Sequence, residues 1–295
     1  MHRKHRFTAA VVSIFAAILP LHCLTASAAD GSGMTFAIRP ETVYFTESEL
    51  KKAAQTVPAQ MYILNYTGFS QLRLQLICDG PLSIGNGGFT LNETDGRHAF
   101  FEKHGSAFFT AKDDEGNPAN VCLWYGPGNV VPETGVVRDS SASFLRFDVA
   151  VPESTPAGVY QVKIADGQSV NAAGQTEPDI FLMDEEGEFL PVPALTGARV
   201  IVEPAALFGD VNCDGEIDIK DAQCALRYYS MNDLLEEEPG TFEETALCTP
   251  YIHTAMQAAD VTEDGAIDTL DVLRISKYNQ MVLLEGEADW NQIPK

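Results

Sequence analysis

Two stretches of this chain repeat one another 50 residues apart, and that duplication constrains its fold more than any other feature. Gly209-Asp210-Val211-Asn212-Cys213-Asp214-Gly215-Glu216-Ile217-Asp218-Ile219-Lys220-Asp221 lies over Ala259-Asp260-Val261-Thr262-Glu263-Asp264-Gly265-Ala266-Ile267-Asp268-Thr269-Leu270-Asp271. Nine of the 22 positions from Asp210 to Met231 are identical to those from Asp260 to Met281. The identities fall where a hard cation needs oxygen. A calcium loop of twelve residues supplies ligands at positions 1, 3, 5, 7, 9 and 12 and turns sharply at a glycine in position 6. The first loop offers Asp210, Asn212, Asp214, the carbonyl of Glu216, Asp218 and Asp221 around Gly215. The second offers Asp260, Thr262, Asp264, the carbonyl of Ala266, Asp268 and Asp271 around Gly265. One acidic turn can arise in any solvated loop, but two in register predict two bound Ca2+ ions.

Details of the loops carry further expectations. Position 12 is Asp rather than Glu in both, so the closing carboxylate is one methylene shorter and each following helix must start closer to the ion. Thr262 contributes a single neutral oxygen, which makes the second site the weaker. Ile217 and Ile267, both at position 8, are expected to pack against each other. Helices follow, with Ala222, Ala225, Leu226 and Tyr229 on one face after the first loop and Val272, Ile275 and Asn279 after the second. Aspartates gathered this closely repel one another without a cation, so calcium is expected to be required for the fold of so small a core.

Two such loops, each followed by a helix but the first lacking an entering helix, resemble the duplicated EF-hand-like segment called a dockerin, which plugs into cohesins in cellulosomes. The resemblance covers Phe208 to about Leu284 and rests on the duplication, the Gly-Asp start and Asp at position 12. It departs in spacing, because Asn232 to Gln257, with its acidic run Glu236-Glu237-Glu238, is extra; this insert is read as a loop and a helix over Glu243 to Met256. The resemblance implies partner contacts at Ile219, Lys220, Leu226 and Arg227 in the first repeat and at Thr269, Leu270, Ser276 and Lys277 in the second. These are not equivalent pairs, which predicts one binding orientation.

Ahead of the repeats, turn signals such as Asp79-Gly80-Pro81, Gly87-Gly88 and Ala165-Asp166-Gly167 punctuate short segments of period two. Leu72, Leu74 and Leu76 alternate with Gln71, Arg73 and Gln75; Phe147, Val149 and Val151 alternate with Arg146 and Asp148; Tyr160, Val162 and Ile164 alternate with Gln161 and Lys163. This predicts an antiparallel β-sandwich over 34–204, followed by a small all-α module over 207–285 with almost no linker. Glu47 to Ala54 reads equally as a short helix or a charged loop before a strand at Met61 to Tyr66. The order of segments is similar to a jelly-roll, cohesin-type sandwich: Gln60 to Tyr66 and Gly68 to Leu74 as paired early strands, Phe144 to Val149 as the late core strand, Pro152 to Tyr160 as the turn and strand after it, and Asn171 to Val202 as a closing hairpin. The same superfamily holds carbohydrate-binding sandwiches, for which Phe108, Phe109, Trp124 and Tyr125 are candidate stacking residues.

Residues 1–28 read as a secretory signal: a basic start at His2 to Arg6, an apolar run from Phe7 to Leu24 broken by Pro20 and His22, and Ala26-Ser27-Ala28 at a cleavage site. Its removal takes away Arg3, Lys4 and Arg6 and no acid, moving the formal charge from −23 to near −26. Such a chain repels nucleic acid and anionic membranes and invites divalent cations or basic protein surfaces. Five cysteines remain, an odd number without CxxC spacing, which argues against a disulfide scaffold or zinc site; one bridge, such as Cys213 with Cys224, stays open. His98, Glu102 and His104, and Ser140 to Ser143 after Asp139, form no catalytic constellation, so no enzyme activity is expected. The leading expectation is a secreted, non-catalytic adaptor scaffoldin. Its dockerin would enter the cohesin of another scaffoldin, and its sandwich would receive dockerin-bearing enzymes. A dockerin-tethered polysaccharide-binding protein, and a small dockerin-borne glycoside hydrolase or esterase, are the alternatives.

Overall fold

The computed structural model describes residues 33–65, 69, 71–89, 105–112, 118–126, 143–170, 174, 176–184 and 186–294. The signal-like segment, His98, Glu102, His104 and Asp139 to Ala142 lie outside the described residues, as do the side chains of Phe108, Phe109, Trp124 and Tyr125.

The first part is a β-sandwich. One sheet has five strands in the order β14, β1, β3, β8, β5, where β1 is Thr35–Arg39, β3 Gln55–Leu64, β5 Ser83–Phe89, β8 Leu145–Val151 and β14 Ala194–Thr196. The other contains β13 (Phe189–Leu190), β12 (Phe181–Met183), β4 (Gln71–Cys78), β9 (Gly158–Ile164), β15 (Ala198–Glu203) and β2 (Thr42–Thr46) in that order. The hairpin of β6 (Gly105–Lys112) and β7 (Pro118–Gly126) joins this second sheet through β4. A separate ribbon pairs β10 (Gln168–Val170) with β11 (Thr176–Pro178).

Period two in the sequence becomes burial in the structure. In β4, Leu72, Leu74 and Leu76 are wholly buried, and in β8 Leu145, Phe147, Val149 and Val151 face the core with Phe36, Ile38, Met61, Ile63 and Phe144. Each such side chain contributes about 2 kcal/mol when removed from water. Pro58 is tolerated in β3 because there the strand pairs only with β8; the pairing with β1 begins at Gln60. The equally weighted helix or loop near residue 47 is a single helical turn, α1 (Glu47–Leu50), closed by a reciprocal cap. Glu49 N donates to Thr46 Oγ1 at 3.2 Å and Thr46 N to Glu49 Oε2 at 2.8 Å, which seats Leu50 in the core.

Two sequence expectations are corrected. The early strands β3 and β4 do not pair with one another but lie in opposite sheets. Residues 171–202 are not one closing hairpin either. β12 pairs with β13, whereas β14 runs parallel to β1, and β15 pairs antiparallel with β9 and parallel with β2. Period two says which face is buried and nothing about which neighbour completes the ladder.

The second part is helical, with its own core of Val211, Ala222, Cys224, Ala225, Tyr228, Phe242, Ala246, Leu247, Ala255, Ala259, Val261 and Ile275. Its helices are α2 (Ile219–Tyr229), which continues into a π turn at Ser230–Leu234, then α3 (Glu243–Leu247), α4 (Ile252–Ala259) and α5 (Thr269–Glu285). The helix expected over 243–256 is thus two helices. Pro250 lacks an amide proton and bars Thr249 from helical geometry, so the chain turns at Cys248 with φ 59° and restarts at Ile252. The helix α4 ends directly at Asp260 and so enters the second loop.

The two parts abut without a linker. Arg199 of β15 reaches Glu244 of α3 through both guanidinium nitrogens, at 3.2 and 2.7 Å. Glu203, only 1% exposed, accepts from the amide of His253 at 2.9 Å. The His253 ring meets Tyr44 edge-on at 4.7 Å, and Thr254 Oγ1 donates to Pro204 O at 2.9 Å.

Candidate metal centre and docking face

The two acidic loops fold alike. In the first, Asp214 N and Gly215 N donate to the two oxygens of Asp210 at 3.1 and 2.9 Å. In the second, Asp264 N and Gly265 N donate to Asp260 at 3.1 and 3.0 Å. Gly215 and Gly265 hold φ near 90°, a conformation that side chains rarely adopt, which is why glycine occupies position 6. Position 4 is also left-handed in both loops, at Cys213 (φ 58°) and Glu263 (φ 59°). That feature carries no sequence signal, since neither residue is a habitual αL former.

Position 12 ties the ends of each loop together. Asp221 Oδ1 accepts from Val211 N at 2.7 Å and Asn212 N at 3.1 Å, while Oδ2 accepts from Asp218 N at 2.7 Å. Asp271 does the same with Thr262 N and Asp268 N, both at 2.9 Å. Both aspartates are third residues of their helices, completing capping boxes with Asp218 and Asp268. The carboxylate at position 12 thus ties each helix start to its own loop. Asp218 and Asp268 turn their Oδ1 atoms to the helix starts, accepting from Lys220 N at 2.7 Å and Leu270 N at 2.6 Å.

Burial and backbone donors set the electrostatics of these groups. Asp221 and Asp271 are wholly buried and Asp210 nearly so. Burial chiefly pushes all three carboxyls above the usual range, opposed by the backbone N–H groups that donate to them. Asp214, exposed, is instead held below that range by the Glu216 amide. Among the described residues no three acidic, imidazole or thiol groups converge into a cage made of such side chains alone. The loop donors are mixed, with Asn212 or Thr262 and a backbone carbonyl among the aspartates, a set that fits a hard, oxygen-seeking ion.

The flanking helices present the other predicted residues. Ile219 and Lys220, and Thr269 and Leu270, are exposed in the first turns of α2 and α5, which pack side by side. Leu226 is 45% exposed. It does not share the buried face with Ala222 and Ala225; Cys224 and Tyr228 do, while Tyr229 is only half-buried. Arg227 is exposed but engaged by the insert, donating to Thr245 O at 3.1 Å and Cys248 Sγ at 2.9 Å. Ser276 is half-buried and Lys277 exposed. Ile217 and Ile267 both lie against the helical core.

A C-terminal clasp went unread in the sequence. Trp290 stacks on Tyr278 at 4.3 Å, meets Phe208 edge-on at 5.0 Å and lies beneath Arg274, 5.8 Å from the ring centre. A Cβ at Gly209 would strike Trp290 at 2.5 Å, so the glycine that opens the first loop is also the seat of the clasp. Trp290, with Ile293 three residues on, in an acidic tail was the available signal.

Residues 208–279 match the family model of the dockerin type I domain. The helical module is a dockerin. Domains of this type bind calcium. Among solved structures the chain is similar to a type I cohesin–dockerin complex, Coh-OlpA-Doc918 from Clostridium thermocellum, at 11% identity over 58% of this chain and 99% of that one, with a TM-score of 0.37. It is also similar to a non-cellulosomal cohesin from Archaeoglobus fulgidus (10% identity, 57% and 90% covered, TM-score 0.32). A third likeness is to the second type II cohesin of the adaptor ScaA scaffoldin of Acetivibrio cellulolyticus (13%, 60% and 96%, TM-score 0.31). No curated protein matches the chain. Cys213 and Cys224, left open for a bridge by the sequence, are both free thiols. No helix among the described residues is long and apolar enough to cross a membrane.

Proposed function

We propose that this chain is a secreted, non-catalytic assembly protein whose dockerin, loaded with two Ca2+ ions, enters a cohesin of a scaffoldin. The first ion is held by Asp210, Asn212, Asp214, the Glu216 carbonyl and Asp221, the second by Asp260, Thr262, Asp264, the Ala266 carbonyl and Asp271. Asp218 and Asp268, occupied as helix caps, complete each shell through water. Ile219, Leu226 and Leu270 form the apolar centre of the docking face, with Lys220, Arg227, Thr269, Ser276 and Lys277 around it. The observation that carries this reading is the matched hydrogen-bond frame of the two loops, which sets two helix starts side by side with exposed apolar residues. Because Ile219 faces Thr269 in the repeat, and Leu226 faces Ser276, one orientation is favoured over its twofold mate. The β-sandwich is the receiving module for dockerin-bearing enzymes, a role supported by its two-sheet build.

Calorimetry of the chain from residue 29 onward, against a panel of scaffoldin cohesins, tests the dockerin role. Binding in millimolar Ca2+ that disappears in chelator, and in the double variant Asp210→Ala/Asp260→Ala, is the expected result. Retention on insoluble polysaccharide with no cohesin bound would instead favour a carbohydrate-binding tether.

A further inference from the structure

Two of the free thiols lie side by side. Cys224 sits on the buried face of α2 and Cys248 is exposed at the end of α3, and the side chain of the first interacts with that of the second. The helices that carry them pack together: the rings of Tyr228 and Phe242 are 5.7 Å apart, and Arg227, one turn beyond Cys224, donates to Cys248 Sγ at 2.9 Å and to Thr245 O at 3.1 Å. Of the other cysteines, Cys78 and Cys122 lie on the sandwich strands β4 and β7, and Cys213 interacts with Thr249. The backbone also points to a role for Cys248. It is the left-handed residue that ends α3, where glycine or asparagine suits the geometry better, so backbone preference does not explain a cysteine there.

We propose that Cys224 and Cys248 form a disulfide once the chain meets a small-molecule disulfide as oxidant, and that this bond locks the insert helix α3 onto the docking helix α2. The order of steps follows from exposure. The Cys248 thiol gives its proton to solvent, and its sulfur attacks one sulfur of oxidised glutathione, expelling glutathione thiolate and leaving a mixed disulfide on Cys248. Cys224, whose thiol is raised by burial and by the neighbouring sulfur, acts second. It loses its proton, attacks the Cys248 sulfur and releases the second glutathione. Two protein thiols are oxidised and one glutathione disulfide is reduced to two thiols. The inference does not depend on the scaffoldin reading, since it concerns only α2 and α3.

The test uses the chain from residue 29 onward in Ca2+ with oxidised glutathione in excess, followed by thiol blocking and trypsin. Cleavage after Lys220, Arg227 and Arg274 puts Cys213, Cys224 and Cys248 in separate peptides. The expected result is a monomer two hydrogens lighter, three blocked thiols instead of five, and peptide 221–227 linked to peptide 228–274. Reduction should then lower the melting temperature of the dockerin by roughly 5 °C or more, as expected when a closed loop is released. Cys248→Ser, exposed and so expected to fold, should form no linked pair and melt identically with and without reductant. Five thiols remaining free, or a bridge from Cys248 to Cys213, overturns the pairing. A Cys224–Cys248 bond that leaves melting unchanged on reduction overturns the locking role.

Discussion

The two halves of the dockerin share a frame and differ in how each is entered and covered. The donors to Asp210 and Asp260 match to within 0.1 Å, both loops are left-handed at positions 4 and 6, and both helices start in capping boxes. Yet the first loop is entered from Phe208 and Gly209 beneath Trp290, and its helix is covered by the insert, whereas the second is entered by α4. The frame is local and follows from spacing; the surroundings are tertiary and differ because each half buries a different apolar remainder. Unequal consequences of matched perturbations are therefore expected.

Metal removal breaks the comparison most completely. Chelation should unfold both loops at neutral pH, with loss of helical ellipticity from the whole dockerin and survival of the sandwich signal. Because Asp210, Asp221 and Asp271 have raised folded values, they favour the protonated form. The metal-free dockerin therefore weakens as pH rises from the ordinary carboxylate range through those values. Calcium needs the ionised form, so the melting difference between calcium and chelator should widen from pH 4.5 to pH 7.

Next in size come the position-12 variants. Asp221→Ala strips the acceptor from three backbone amides and Asp271→Ala from two, so both should cost about 3 kcal/mol or more, with the first the larger, read by urea unfolding in calcium. Trp290→Ala sharpens the contrast because the clasp touches the first loop at Gly209. A loss of about 2 kcal/mol is expected, with calcium affinity of the first site reduced more than that of the second, which Trp290 reaches only through Tyr278 and Arg274 of α5. The smallest effect sits at the join with the sandwich. Hydrogen bonding to Glu203 raises His253, so its contribution is complete below the ordinary imidazole value and lost as pH rises through the folded one. Its ring is largely exposed, and solvent screening limits the change to well under about 1 kcal/mol, visible as a small fall in melting temperature that Glu203→Gln removes.

What was legible followed the range of the interaction. The loop frame is defined by spacing within twelve residues, and the two acidic loops do fold alike. Burial in strands was readable at Leu72, Leu74 and Leu76 because alternation is local. The helix face after the first loop was misread toward Leu226 and Tyr229: choosing between that face and the one through Cys224 and Tyr228 needs the partner helices, which the repeat does not contain. Sheet membership of β3 and β4, and the parallel pairing of β14 with β1, depend on strands far along the chain. The pairs Arg199–Glu244 and Glu203–His253 join residues 45 and 50 positions apart, and no local pattern announces them.

The strand that closes the sandwich, β15, ends at Glu203, and the helix leading into the second loop begins by donating an amide to that same buried carboxylate. One acidic side chain thus serves as a hinge pin between strand and helix, with Pro204 beside it bonded to Thr254. A cohesin seated on α2 and α5 would have its heading set by the sandwich, as a bracket sets the angle of a shelf, rather than swinging on a tether.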